Sequence, residues 1–396
     1  MFKRQEGFTL IELMVTMVLS VVVLGALYVI YAQSVAAFRI ETQYLNMQER
    51  VRFGLEHLKR DMRRAGFMAH PNSQNTTAKI CPTPTFPLRA ATVFAGDGGS
   101  TYQPWAGANP YVKPLQMVLF GDFFHGKAFP TAGIQGNKVY FQQHPNLPGC
   151  TYSDAPAANN SSMCSNSVEF LRVFNADRYL RIVTQDQDEI LLPIISANWA
   201  ERSVVLADDV PRFGTSNCGI AGFGEGLEAN VAGFVRYRVA VDTRITPTGP
   251  KTDLIREELQ VDGSTVVVDS QLVIAEYVVD LGLYDFIFDI KGTGVPDLIS
   301  LDTTTMGVAD EVGGGLLGNT AGAYPENLRA VTVKLTVRSP TEDPSFTFDA
   351  RTGQFEPLDG FEIDQMVGAC RTLTLASRVE LTSLAVRNLR RIMGGP

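Results

Sequence analysis

Between Phe8 and Phe38 the chain runs for 31 residues with one charged side chain, Glu12, and from Leu13 to Phe38 it has none. At about 1.5 Å per helical residue such a run exceeds a hydrocarbon core about 30 Å thick. A cleaved secretory signal has a shorter apolar region that ends at a small residue. Here the small residue, Gly7, precedes the run. Lys3 and Arg4 flank its N-terminal side, which places that end in the cytoplasm and the body outside it. Glu12 is the anomaly. An ionised carboxylate in a membrane span needs either the interface, reached by snorkelling, or a cationic partner.

Charge is unevenly distributed beyond the span. Residues 39–64 carry seven basic and four acidic side chains, whereas 65–396 carry 25 basic and 36 acidic ones. The acidic body argues against a nucleic-acid partner. With 45% hydrophobic and 19% charged residues, the chain has enough apolar surface for a folded core. Ile40, Tyr44, Met47, Val51, Leu55, Leu58 and Met62 recur every three or four residues, predicting one apolar stripe on a helix. Gly66, just past a basic last turn, predicts its stop.

The rest reads as strands. Odd positions form an apolar face in Val235–Val241, and the same alternation recurs in Val331–Arg338. Further strands are expected at 117–120, 138–142, 168–174, 179–184, 189–195, 203–206, 265–268 and 281–288, with one or two in Leu373–Val386. The best later helix is 271–279. Around the two early strands at 117–120 and 138–142, residues 67–165 are rich in turn formers, and 302–327 is a second irregular stretch.

Few residues point to chemistry. Gly121–Ala128 nearly matches a phosphate-binding loop, but Ala128 lacks the hydroxyl that would hold magnesium, and Phe123 and Phe124 crowd it. Gly313, Gly315 and Gly318 have dinucleotide-loop spacing with no helical pattern after them. The four histidines show no ligand spacing, and no catalytic constellation is visible, so neither an enzyme nor a cofactor is expected. Of five cysteines, Cys150 and Cys164 flank a short polar segment and are the expected disulfide outside the cytoplasm. The pairing of Cys81, Cys218 and Cys370 stays open, and the odd count leaves one thiol over.

The string Gly7-Phe8-Thr9-Leu10-Ile11-Glu12, with its short basic leader and the apolar run behind it, resembles the N-terminal signal of type IV prepilins. The resemblance implies that a prepilin peptidase cuts after Gly7, that Phe8 becomes the N-methylated N-terminus, and that Glu12 answers a neighbouring subunit's N-terminal amine in subunit assembly. Gln48-Glu49-Arg50 and Leu58 to Phe67 resemble the helix end of PilW-type minor pilins and of J-type pseudopilins of type II secretion. Val278 to Tyr284, Leu328 to Ser339 and Thr382 to Asn388 resemble later PilW-type segments. The implied fold is α+β and pilin-like, a long N-terminal transmembrane and amphipathic helix on a large antiparallel β-rich domain. Its expected parts are a leader at 1–7, a helix at 8–66 (membrane-spanning 8–38, amphipathic 39–66), and an extracytoplasmic domain at 67–396 with an insertion around 67–165.

The implied function is that of a low-copy minor pilin that helps start pilus assembly near the tip, in support of motility and adhesion. A pseudopilin, or a tip adhesin acting through the insertion, is the alternative. The implied partners are other minor pilins, the major pilin, the prepilin peptidase, the inner-membrane assembly platform and a PilY-type adhesin. PilW-type relatives also carry an acidic turn that suits calcium, matched here by Asp285, Asp289 and Asp297, although Lys291 stands where further oxygen ligands would be.

Overall fold

Helix α1 runs Leu10–Arg63 without a break in the computed structural model. The structure describes residues 9–71, 73, 80–81, 88–95, 109, 112, 114–151, 164–213, 219–246, 249–289, 298–301, 325–343, 346, 358–363 and 368–384. The chain divides into two units, Met1–Glu49 and Arg50–Pro396. In the first, every large apolar side chain from Leu13 to Tyr31 is 51–72% exposed. Among the described residues none covers this cylinder of Val, Leu and Met. It is long and apolar enough to cross a membrane.

The second unit begins inside the helix. Val51, Leu55, Leu58 and Met62 are buried, so the stripe read from spacing is the face that packs. Arg64 and Ala65 tighten the last turn through bonds to the carbonyls of Asp61 and Met62, and Gly66 ends it with φ +70°. The Gly66 amide then donates to Phe120 O, and a Cβ there would meet Leu384 at 2.4 Å. The Ser383 hydroxyl donates to the Arg63 carbonyl at 2.7 Å, so residues from the far end of the chain cap this helix.

The larger sheet has eleven strands: β1 (Ile80–Cys81), β2 (Ala91–Ala95), β3 (Leu115–Gly121), β4 (Phe129–Gln135), β5 (Lys138–Phe141), β6 (Tyr179–Val183), β7 (Glu189–Asn198), β8 (Ser203–Leu206), β9 (Glu228–Thr246), β10 (Gly249–Leu259) and β11 (Leu272–Glu276). Its hub is β9, nineteen residues long, which pairs with β3, β4, β6 and β10 in turn. The smaller sheet holds β12 (Val278–Asp289), β13 (Leu298–Leu301), β14 (Leu328–Arg338), β15 (Gly360–Phe361) and β16 (Cys370–Glu380) in the order β13-β12-β14-β16-β15. The segment 67–165 supplies β1 to β5 to the larger sheet: β3 and β5 fall at the strands expected at 117–120 and 138–142, whereas β1, β2 and β4 lie in stretches whose turn formers gave no strand signal.

Helix α1 meets both sheets at Gly54. A Cβ there would lie 2.9 Å from Leu335 of β14, 3.0 Å from Ala275 of β11 and 3.7 Å from Leu254 of β10. Only the absence of a side chain allows this approach.

Several sequence expectations are corrected. Residues 168–174 form helix α2 (Ser167–Val173), not a strand. Asn166 caps it by accepting from Glu169 N at 3.1 Å, and Phe170, Val173 and Phe174 are buried at helical spacing. The expected helix at 271–279 is β11 followed by the start of β12, because β10 offers a ladder (Leu254 opposite Ala275, Asp253 opposite Glu276). Tyr277, at φ 58°, turns the chain from one sheet to the other. Val266 makes only an isolated bridge to Leu259 where a strand was expected at 265–268. After β16 the described chain takes a helical turn at 382–384.

Candidate functional site

Gly7 and Phe8 lie outside the described residues, but the residues that follow them form a helix start. Thr9 precedes the first helical residue. Its amide and hydroxyl both donate to Glu12 Oε2 at 3.0 Å, and Glu12 N donates to Thr9 Oγ1 at 3.4 Å. This is a reciprocal capping box, in which two residues three apart satisfy backbone donors that a helix start leaves open. The Thr-x-x-Glu spacing before an apolar run was the available sequence signal for it. Glu12 therefore has a local task in the chain itself, apart from any intermolecular partner.

A second polar cluster sits where α1 lies on the larger sheet. Asp61, 4% exposed, accepts from Tyr237 Oη at 2.7 Å and from Arg256 Nε at 2.8 Å. His57 lies beside them, with Nδ1 3.0 Å from Tyr237 Oη and Nε2 2.8 Å from Arg60 Nη2. Burial raises the Tyr237 phenol, reinforced by the Asp61 carboxylate. In the sequence Arg60 and Asp61 fall between Leu58 and Met62 of the apolar stripe rather than on it. The signal was faint: Asp61 stands between Leu58 and Met62 on the packed side, where a carboxylate needs partners supplied by distant strands.

The remaining candidates are structural in character. Cys150 and Cys164 form a disulfide just ahead of α2. Cys81 is also disulfide-bonded, Cys370 is a buried free thiol, and Cys218 lies outside the described residues. Asp289 is engaged by Arg329 at 3.2 Å, and Asp285 accepts from Thr332 Oγ1 at 3.5 Å. Asp297 lies outside the described residues, as do Lys291 and the glycines 313, 315 and 318. Among the described residues no group of three His, Cys, Asp or Glu side chains is placed to hold a metal ion. The loop after Gly121 closes as a turn, with Asp122 Oδ1 accepting from Phe124 N at 3.1 Å and His125 N at 3.0 Å. It leads into β4, whereas a phosphate cradle opens a helix.

Residues 2–28 match the family model for the prokaryotic N-terminal methylation motif. The chain thus carries the prepilin N-terminus of type IV pilins and pseudopilins, joined to a pilin-like α+β architecture of long apolar helix and β-rich body. Proteins of that kind are processed by a prepilin peptidase and are typically non-enzymatic subunits that assemble with pilins. No curated protein and no solved structure matches the chain.

Proposed function

We propose that the protein is a minor pilin, a low-copy structural subunit that helps start type IV pilus assembly and sits at or near the tip. One observation carries the reading: a methylation motif at 2–28 stands on a helix that continues unbroken to Arg63, where a large two-sheet body begins. In this reading residues 1–7 are a leader removed after Gly7, and Phe8 is the methylated N-terminus. Residues 8–38 hold the precursor in the inner membrane with its body in the periplasm. A body of this bulk fits a tip, where it need not pack between repeating subunits of a shaft. Its partners are then other minor pilins, the major pilin, the assembly platform and a PilY-type adhesin, and the role supports motility and adhesion.

Deletion of the gene tests the reading, scored for surface pili and, in parallel, for secreted type II substrates. Loss of pili with secretion intact is the expected result. Lost secretion with normal piliation would assign the chain to a pseudopilin role instead. Processing is tested separately. Gly7→Leu should leave uncut precursor in the inner membrane, because a bulky side chain obstructs the backbone beside the cut. Normal processing of that variant would remove the leader assignment.

A further inference from the structure

The polar cluster under α1 is wired in only one way. Arg60 is a guanidinium, a donor without acceptor capacity, so His57 Nε2 must present a lone pair to it. The other nitrogen then carries the proton, and His57 Nδ1–H donates to Tyr237 Oη. With that oxygen accepting, the Tyr237 hydroxyl is free to donate to Asp61 Oδ2, which Arg256 also approaches. Every bond in the chain Arg60, His57, Tyr237, Asp61, Arg256 is satisfied only while the imidazole is neutral.

We propose that His57 makes the seat of α1 on the sheet an acid-sensitive latch, closed at neutral pH and weakened when the ring takes a second proton. That proton would land on Nε2, 2.8 Å from Arg60, and turn a hydrogen bond into a contact between two cations. The charged and titratable groups facing the ring are Arg60 and Asp61 from α1, Tyr237 from β9 and Arg256 from β10. Two are cations and one is a carboxylate already accepting two bonds, so the balance disfavours a third positive charge. The ring is also half-buried, and desolvation, with Arg60 and Arg256, outweighs Asp61 and lowers its affinity for a proton. Arg60 is 63% exposed and can swing toward water, which limits the effect to weakening the seat.

The sign follows from linkage. Above about pH 6.5, the ordinary imidazole value, both folded and unfolded chains hold a neutral ring. As pH falls through that value the unfolded chain takes up a proton that the folded one refuses. Stability is therefore lost from about pH 6.5 down to the lowered folded value. The latch is independent of the pilus role, since all its residues belong to this chain.

The test uses the full-length protein in detergent. With only four histidines in the chain, the His57 ring can be followed by NMR titration. Its midpoint is expected clearly below the ordinary value, and Arg60→Ala should move it upward. Thermal unfolding midpoints at pH 7.5 and 5.5 should fall further on acidification for the wild type than for His57→Gln. The glutamine amide can donate to Tyr237 and accept from Arg60 at either pH. A His57 midpoint at or above the ordinary value overturns the latch. An identical pH response in a folded His57→Gln variant overturns it as well, and if that variant does not fold, the wild-type titration decides.

Discussion

Lys334 shows how far a single side chain can depart from its pattern. In Val331–Arg338 it occupies an even position, off the apolar face that the alternation predicts. Yet β14 lies between β12 and β16, and Lys334 is 5% exposed, its ammonium 3.1 Å from Asp280 Oδ2. The even positions that follow it, Thr336 and Arg338, are buried too. Thr336 bonds Thr374 at 2.9 Å, and Arg338 donates to the carbonyls of Ser339 and Pro340. Burial raises the Asp280 carboxyl, and Lys334 is the charge that opposes this. Removing one member of a buried pair is more damaging than replacing both. Lys334→Met should therefore destabilise the fold by about 3–5 kcal/mol, and the double variant with Asp280→Leu should recover much of the loss. Thermal unfolding of the three variants reads this out. A Lys334→Met chain as stable as the wild type would show that the pair contributes nothing.

At the scale of elements, what was legible depended on which partner decides the structure. The stripe Val51, Leu55, Leu58, Met62 is set within the helix, and the buried face agrees with it. Strands such as β6 and β8 announced themselves by composition. Two segments were misread because their outcome depends on the partner surface. Phe170, Val173 and Phe174 are apolar enough for a strand, but a cap at Asn166 and a guanidinium at the other end favour a helix. Arg178 Nη1 donates to the carbonyls of Arg172 and Val173 there. Residues 272–276 become β11 because the long hairpin of β9 and β10 presents an edge to them. Gly54 was equally opaque, as a helix-interior glycine looks like a weakness until both sheets are in place. Gly54→Val should push α1 off Leu335 and Ala275, costing about 1–3 kcal/mol by overpacking. The check is chemical denaturation, and a midpoint equal to or above the wild type would mean that the contact yields freely. Cys150→Ser tests a different constraint. Opening a loop of this size should cost about 3 kcal/mol in the chain-entropy model, seen as an unfolding temperature below that of the oxidised wild type but above that of the reduced one, which also loses the Cys81 disulfide.

For the whole molecule, the N-terminal motif leaves one residue with two tasks that the structure allows to be separated. Glu12 caps its own helix through Thr9, and the proposed pilin role asks its charge to meet the Phe8 amine of a neighbouring subunit. Glutamine keeps a side-chain oxygen, now of an amide, where the capping box needs its acceptor, since Gln serves at that position as Glu does. It removes the negative charge. Glu12→Gln therefore tests pairing with the cap intact, whereas Glu12→Ala removes both. Neither change adds charge to the apolar run, so both precursors should enter the membrane and be cut after Gly7 at normal levels. An amine left among apolar helices has lost its counter-charge in either variant. We expect both to fail to join the other prepilin-like subunits. The measurement is co-purification with those subunits from detergent-solubilised membranes, normalised to the processed protein present. If Glu12→Gln co-purifies as the wild type does while Glu12→Ala does not, the residue acts through the cap alone. Undiminished recovery of both would leave Glu12 without a part in assembly.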